Sequence, residues 1–243
     1  MELPVLLPTS AQSETFAGIT YHLDGNLVPA LTILLDGERS VYFEHHILLW
    51  KHQDVKISIK PMKGALQRMF AGMQVFVTEA YGKGQVALSR DGPGQLFALH
   101  LKEGEEIHVR EHQFVAATEN IEYTFEWVTG LSNILFGKSG FFVDKFRARS
   151  GDGILWLHGY GNVFEKSLAA GESIDVEPGA WLYKSPETEM STNLQKLMVG
   201  FVAGTSMMMN RFTGPGCVAI QTMPPPSPEP PPPPPANTAE KSR

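Results

Sequence analysis

Cysteine is nearly absent from this 243-residue chain, which contains only Cys217. A single cysteine excludes a disulfide within the chain and a zinc site built from cysteines alone. Positive charge is also scarce, because 20 Lys and Arg stand against 26 Asp and Glu, for a formal charge of −6. A negative chain is a poor match for the phosphates of nucleic acids, so we expect no nucleic-acid partner.

Long apolar runs are missing as well. No stretch approaches the roughly 20 apolar residues that a membrane-spanning helix needs. The first 19 residues include Glu2 and Glu14 and no Lys or Arg, unlike a secretory signal or a basic mitochondrial presequence. Because 42% of the residues are hydrophobic, the chain can bury a large core. These features predict a folded cytoplasmic protein, either free or attached to the periphery of a membrane.

The dipeptide Gly-Glu recurs at a constant interval. Gly37, Gly104 and Gly171 are each followed by Glu, and both intervals are 67 residues. Each Gly has a Leu three residues before it, and a Gly followed by alternating apolar residues returns at 84–88, 153–157 and 216–220. We therefore predict one domain at 20–223, made of three repeats at about 20–90, 91–157 and 158–223, after an N-terminal extension at 1–19.

Each repeat has the pattern of β-structure. Apolar and polar residues alternate at 55–60, 107–110 and 121–127, which predicts strands with one buried and one solvated face. Turn signals such as Asp36-Gly37 and Gly214-Pro215-Gly216 separate these runs at short intervals. Units of this size are marginal alone, so we expect an all-β fold in which the three share one core around a pseudo-threefold axis.

One insertion interrupts the β-pattern of each repeat, at Met62 to Met73, Leu131 to Phe136 and Leu194 to Phe201. Apolar residues three and four apart predict short helices here. Methionine suits adaptable binding surfaces, so we predict that these insertions bind a protein partner or a membrane surface. Capping of the β core is the alternative. The predicted binding residues are Leu66, Met69, Phe70, Met73, Leu135, Phe136, Leu197, Met198 and Phe201.

The C-terminal residues differ from the rest, because ten of the 18 prolines lie between Pro224 and Pro235. This composition predicts an extended, disordered Pro-rich tail at 224–243, either a solvated linker or a ligand for an SH3-like partner.

Two segments carry a family resemblance: Gly171-Glu172 followed by residues 176–183, Val-Glu-Pro-Gly-Ala-Trp-Leu-Tyr, and residues 210–221, Asn-Arg-Phe-Thr-Gly-Pro-Gly-Cys-Val-Ala-Ile-Gln. The chain resembles the altered inheritance of mitochondria protein 24 family, or mitochondrial biogenesis family, within the superfamily of proteins like the tryptophan RNA-binding attenuation protein (TRAP-like).

The resemblance implies three tandem TRAP-like β-sandwich or β-prism repeats. It brings no catalytic residues. Bacterial members are cytosolic and of unsettled function, and eukaryotic members support organisation of the mitochondrial inner membrane. Unlike the attenuation protein, this chain is acidic and joins three units, so tryptophan sensing and RNA wrapping do not carry over.

Histidines offer the main alternative, a small-molecule- or metal-binding β-barrel with cupin-like catalysis. His45 and His46 are adjacent, His52 follows six residues later, and His108 and His112 take related places in the second repeat. A cupin motif has two histidines one residue apart, beginning five residues beyond a Gly. In a strand His45 and His46 would face opposite sides, so we expect no metal and no cofactor.

The glutamates that follow the three repeated glycines, Glu38, Glu105 and Glu172, allow two interpretations. Three carboxylates around a pseudo-axis could gather a cation. A Glu after a turn glycine more commonly accepts a backbone N–H. Taken together, the sequence predicts a non-enzymatic scaffold or adaptor that binds a protein partner or a membrane surface, and whose sheet edges could form a homo-oligomer.

Overall fold

Strands account for all the regular secondary structure in the part of the chain that the computed structural model describes, namely residues 5–6, 12–62, 76–128, 141–195 and 207–225. Those ranges contain no helix, and the predicted all-β class is confirmed. The strands are β1 (Val5–Leu6), β2 (Gln12–Phe16), β3 (Ile19–Asp24), β4 (Ala30–Asp36), β5 (Val41–Phe43), β6 (Leu48–Lys51), β7 (Val55–Pro61), β8 (Phe76–Ser89), β9 (Gly94–Leu101), β10 (Glu106–Arg110), β11 (Phe114–Thr118), β12 (Ile121–Val128), β13 (Phe141–Ala148), β14 (Gly153–Tyr160), β15 (Val163–Leu168), β16 (Ser173–Val176), β17 (Trp181–Lys184), β18 (Glu189–Gln195), β19 (Met207–Thr213) and β20 (Gly216–Gln221).

The strands form three antiparallel sheets. The largest has ten strands, in the order β2-β3-β4-β8-β5-β11-β14-β9, with β6 and β7 also paired to β8. The second has seven strands, in the order β1-β15-β20-β17-β10-β13-β12, and the third is β16-β19-β18. The first two sheets thus combine strands that are far apart in sequence.

Three hairpins flank the predicted insertions. They are β7–β8, β12–β13 and β18–β19, and their last paired residues are Pro61 with Phe76, Val128 with Phe141, and Gln195 with Met207. Leu194 and Gln195, predicted to begin a helix, lie instead in β18, because their backbones continue the ladder to β19. Met62 is buried directly after β7. The remaining insertion residues lie outside the described ranges.

The same pairings recur around each hairpin. The strand that follows each repeated Gly pairs with the returning hairpin strand: β5 with β8, β10 with β13, and β16 with β19. Gly37, Gly104 and Gly171 all have positive φ, at 101°, 88° and 77°. A residue with a Cβ adopts that conformation only with strain, so the three turns require glycine.

Two edge pairings, which we call seams, join strands that are far apart in sequence. In the first, β5 pairs with β11, with Phe43 opposite Ala116. In the second, β10 pairs with β17, with Val109 opposite Tyr183. Each seam therefore connects the strand after one repeated Gly to the strand that precedes the next hairpin.

Buried apolar residues form three clusters rather than the one shared core expected from the sequence. The first includes Tyr21 and Trp156 and lies on one face of the ten-stranded sheet. The second joins Leu155 and Leu157 of that sheet to Val109 and Tyr183 of the seven-stranded sheet. The third includes Phe212 of the small sheet. Because successive residues of β14 face different clusters, this strand is buried on both faces.

The predicted N-terminal extension contains two described strands. β1 pairs with β15, and β2 forms a hairpin with β3, whose first residue is Ile19. The proposed boundary at residue 20 therefore falls inside β3. Of the predicted Pro-rich tail, residues 226–243 lie outside the described ranges.

Candidate functional site

The nine predicted binding residues, from Leu66 to Phe201, all fall in the ranges 63–75, 129–140 and 196–206, which the structure does not describe. Their role therefore stays a prediction. The structure does show the strands that carry them, and it places exposed apolar side chains at the base of the first insertion.

A surface on hairpin β7–β8 is formed by Ile57, Ile59 and Phe76, which are 36%, 73% and 49% exposed. Ile59 pairs with Thr78 and Pro61 pairs with Phe76, so the three side chains lie on one face of the hairpin. We call this the hairpin surface. The same face begins at Val55 and Ala80, which are buried in the first core cluster. The face of the hairpin that is buried at its base thus continues with apolar side chains where it is no longer covered.

This surface was missed by the sequence analysis. The alternation at 55–60 predicts one buried and one solvated face, and this prediction is wrong at Ile57 and Ile59, which are exposed. Alternation identifies which residues share a face, but not how far the neighbouring layer extends. The sequence signal that could have indicated this exposure is the short distance between this strand and the predicted insertion.

The opposite face of the hairpin is basic. It carries Lys56 and Lys60, both exposed, together with Glu79 and Tyr81. Lys60 Nζ lies 3.2 Å from Glu79 Oε1, and Ser40 Oγ donates to the same oxygen at 3.0 Å. Burial acts to raise the pKa of Glu79, but hydrogen bonds from Lys60 and Ser40 hold that pKa below its ordinary value. Glu79 therefore stays ionised and fixes Lys60.

A cleft of about 290 Å³ lies beside the base of the hairpin. Its lining includes Tyr42, Lys60, Met62, Tyr123 and Arg149. Tyr42 is buried, and its hydroxyl donates to the carbonyl oxygen of Ile121 at 2.9 Å. The lining also includes Glu119 and Glu122, and Lys60 and Arg149 are paired with Glu79 and Glu122. The cleft thus combines aromatic walls with balanced charge, a composition suited to a small polar or aromatic group.

The histidines are only partly brought together. His45 and His46 lie in a turn rather than a strand, with His46 at φ 68° and ring centroids 4.2 Å apart. The prediction that they face opposite sides of a strand was therefore wrong, because the chain turns after β5. His112 lies near them through their shared neighbour Glu44.

His52 and His108 each contact a carboxylate of their own rather than the cluster around Glu44. His52 Nδ1 lies 3.5 Å from Asp54, and His108 Nε2 lies 2.8 Å from Glu106. Among the residues that the structure describes, no three His, Cys, Asp or Glu side chains form a group that could hold a metal ion.

Glu44 is the ionisable centre of the turn cluster. Its side chain is 3.8 Å from Arg90 Nη1 and 3.3 Å from His45 Nδ1. Arg90 also donates to the carbonyl oxygens of Phe114 and His112, at 2.8 and 2.6 Å. Burial raises the pKa of Glu44, and the Arg90 charge opposes that rise. This arginine therefore connects the turn after β5 to the turn before β11.

Replacing Arg90 with Gln should raise the pKa of Glu44 further, because the largest opposing charge is removed while burial remains. It should also destabilise the fold by roughly 2–4 kcal/mol, since buried acceptors lose their donor. Carboxyl titration by NMR and urea unfolding measure the two effects. Arg39→Gln, at an exposed arginine, is the control. An unchanged Glu44 titration in the Arg90 variant would contradict this electrostatic account.

The three repeated glutamates act locally where contacts are described. Glu105 accepts from the backbone N–H of Lys102 at 2.8 Å, and Glu172 accepts from that of Ala169 at 3.0 Å. Glu38 uses its own N–H to donate to Asp36. Two of the three thus accept a backbone N–H within their own turn, as the local interpretation predicts.

Cys217 is partly buried next to Tyr183 and Glu165. Burial raises the pKa of its thiol, and the nearby Glu165 charge adds to that rise. A raised thiol pKa disfavours the nucleophilic thiolate.

The described residues contain no helix with the length and apolar character needed to cross a membrane.

Two bacterial proteins resemble the chain. An uncharacterised protein of Streptococcus pyogenes serotype M6 is 24% identical over 207 residues, which cover 80% of this chain and 82% of that protein. The crystal structure of a Streptococcus pyogenes protein, solved by the Northeast Structural Genomics Consortium, matches with a TM-score of 0.66 and 24% identity. The match covers 85% of this chain and 94% of that chain, and it supports the fold. The family model described as Mitochondrial biogenesis AIM24 matches residues 21–223, so the chain belongs to the mitochondrial biogenesis AIM24 family.

Proposed function

We propose that this chain is a non-enzymatic scaffold or adaptor protein that is cytoplasmic and attaches to an anionic membrane surface through hairpin β7–β8. The observation that carries the proposal is the hairpin surface, where Ile57, Ile59 and Phe76 are exposed on one face. Apolar side chains that share one exposed face commonly mark an interaction site.

Charge supports an anionic target. The segment from Leu48 to Pro61, which contains β6 and β7, has three lysines and one Asp, whereas the whole chain carries −6. Lys56 and Lys60 lie on the face of the hairpin opposite the hairpin surface, and Lys60 is paired with Glu79. The positive charge of this segment therefore favours approach to anionic headgroups, while the hairpin surface supplies the apolar side chains for the boundary between headgroups and acyl chains.

The predicted insertions extend this proposal. The first insertion joins Pro61 to Phe76, so Leu66, Met69, Phe70 and Met73 are attached directly to the hairpin surface in the sequence. Docking through these residues and capping of the core by them stay alternative roles.

We further propose that the domain consists of three TRAP-like repeats. In support, each hairpin has the same neighbours, and each repeated Gly has positive φ after a strand. The two seams repeat one connection between units.

Changing Ile59 and Phe76 together to Ser should weaken binding to vesicles by about tenfold or more, because the apolar area available for insertion is lost. The test uses sedimentation of full-length protein with vesicles of phosphatidylcholine containing about 30 mol% phosphatidylserine. Leu27→Ser is the matched control, because Leu27 is exposed in the turn between β3 and β4.

Three measurements separate the outcomes. Similar melting temperatures for the variant and the control would show that the hairpin surface is not a structural cap. Equal vesicle binding by both would refute the hairpin site. If the unmodified protein ignores anionic vesicles, the membrane proposal is wrong and a protein partner becomes the better candidate.

A second candidate, small-molecule binding, is favoured by the cleft beside the hairpin. The test is mass spectrometry of the molecules released when the purified protein is denatured. If no small molecule is released in a fixed ratio to the protein, this candidate is contradicted.

A further inference from the structure

Strand β6 differs from its two counterparts in the fold. β11 and β17 pair with β14 and β20, the strands that follow the second and third hairpins, and β6 pairs with the second half of β8, beyond its pairing with β7. Each of the three pairings contains a register shift. All residues of β11 and β17 are buried. All four residues of β6 are exposed, although its sequence is Leu-Leu-Trp-Lys. The apolar sequence of β6 thus fits a buried strand, while its surroundings leave it exposed.

In the part of the chain that the structure describes, β6 is exposed because it lacks the second paired strand that its two counterparts have. The seams provide the second paired strand of each counterpart: β11 pairs with β5, and β17 pairs with β10. Among the described strands, β6 pairs only with β8, and β16 pairs only with β19. Because β16 is the third counterpart of β5 and β10, β6 and β16 are the two unused halves of a third seam.

We propose that β16 of one copy of this chain pairs with β6 of a second copy, so that the third seam forms between molecules. Within the described chain, β6 belongs to the ten-stranded sheet and β16 to the three-stranded sheet, with no strand linking them. Unpaired edges with apolar side chains readily add a strand from another chain. The proposal is independent of the hairpin surface and of membrane binding.

The existing seams supply the register. Counted from the glutamates Glu44, Glu111 and Glu177, both seams have the same register: Phe43, one residue before Glu44, lies opposite Ala116, five residues after Glu111, and Val109, two residues before Glu111, lies opposite Tyr183, six residues after Glu177. The same count places Val176, one residue before Glu177, opposite Leu49, five residues after Glu44. Since seams are antiparallel, Ile174 then lies opposite Lys51. The two copies use different edges, so pairing continues head to tail and gives a ring or an open chain.

Disulfide trapping tests both the contact and its partner. In a Cys217→Ser background, a chain carrying Lys51→Cys is mixed with a chain carrying Ile174→Cys and oxidised. We expect a mixed disulfide at least tenfold more abundant than the disulfide formed by either variant alone. Absence of that excess would overturn the proposal. Internal closure at monomer mass in a chain carrying both substitutions would overturn it as well, because β6 and β16 would then meet within one molecule.

A second measurement does not depend on cysteine chemistry. The mass of the unmodified full chain, measured by light scattering across a concentration series, should exceed that of a monomer. Leu49→Lys should shift the midpoint of association to at least tenfold higher concentration, because edge lysines oppose strand pairing. Leu27→Lys, the same change at another exposed leucine, should leave it unchanged. An unmodified chain that is monomeric at all concentrations would refute the third seam. Equal shifts of the association midpoint in the two variants would refute it as well.

Discussion

Acidification from pH 7 to pH 4 is expected to remove on the order of 3 kcal/mol of unfolding free energy through His158 alone. The imidazole is fully buried on β14, and among the described residues neither ring nitrogen has a hydrogen-bond partner of normal geometry. Burial, together with the nearby Arg90 charge, lowers the pKa of His158 to about 4. Between the ordinary pKa near 6.5 and this value, the unfolded chain binds a proton that the folded chain does not. The contribution of the neutral His158 to the free energy of unfolding is therefore fully present above about pH 6.5 and is lost as the pH falls toward 4.

The measurement is urea unfolding at a series of pH values. The difference in unfolding free energy between the parent and His158→Gln should change with pH across this window, whatever the variant's absolute stability. His22→Gln, at a partly exposed histidine of β3, is the control. Parallel pH curves for the parent and the His158 variant would show that the buried ring does not govern acid sensitivity.

Trp156→Ala should destabilise the fold by about 3–5 kcal/mol. Trp156 is 0% exposed in the first core cluster, and its ring meets Tyr21 edge to face, with centroids 5.4 Å apart. Removing the indole leaves a cavity that neighbouring strands fill only in part, because their backbones are fixed by ladders on both sides of β14.

Trp50→Ala provides the matched comparison, since Trp50 is an exposed residue of β6. For the isolated molecule its effect on unfolding should stay within about 0.5 kcal/mol. Both variants are compared by urea unfolding at low protein concentration. A small loss in the Trp156 variant, similar to that of the Trp50 variant, would mean that the first cluster contributes little to stability.

Local patterns predicted the class of this fold well. Alternation at 107–110 and 121–127 corresponds to β10 and β12, and the repeated glycines occupy turns at positive φ. These predictions succeeded because side-chain alternation and left-handed turns depend on residues next to one another in sequence. The sequence resemblance likewise identified the family from two short segments.

Features that depend on distant strands were harder to predict. The exposure of Ile57 and Ile59 depends on where the opposing layer ends, and the turn at His45 and His46 depends on β5 stopping at Phe43. The cluster around Glu44 needs Arg90, which lies more than forty residues away in sequence. No local pattern records such distances. The predicted binding residues in the insertions lie outside the described ranges, so their part in the site stays a prediction.

Strand β8 pairs with four other strands, β4, β5, β6 and β7. It changes partners near Gly82 and Gly84, which both have positive φ. Since one continuous backbone serves two groups of neighbours, loosening either group disturbs the hydrogen bonds of the other. The N-terminal third of the molecule should therefore open as one cooperative unit rather than strand by strand.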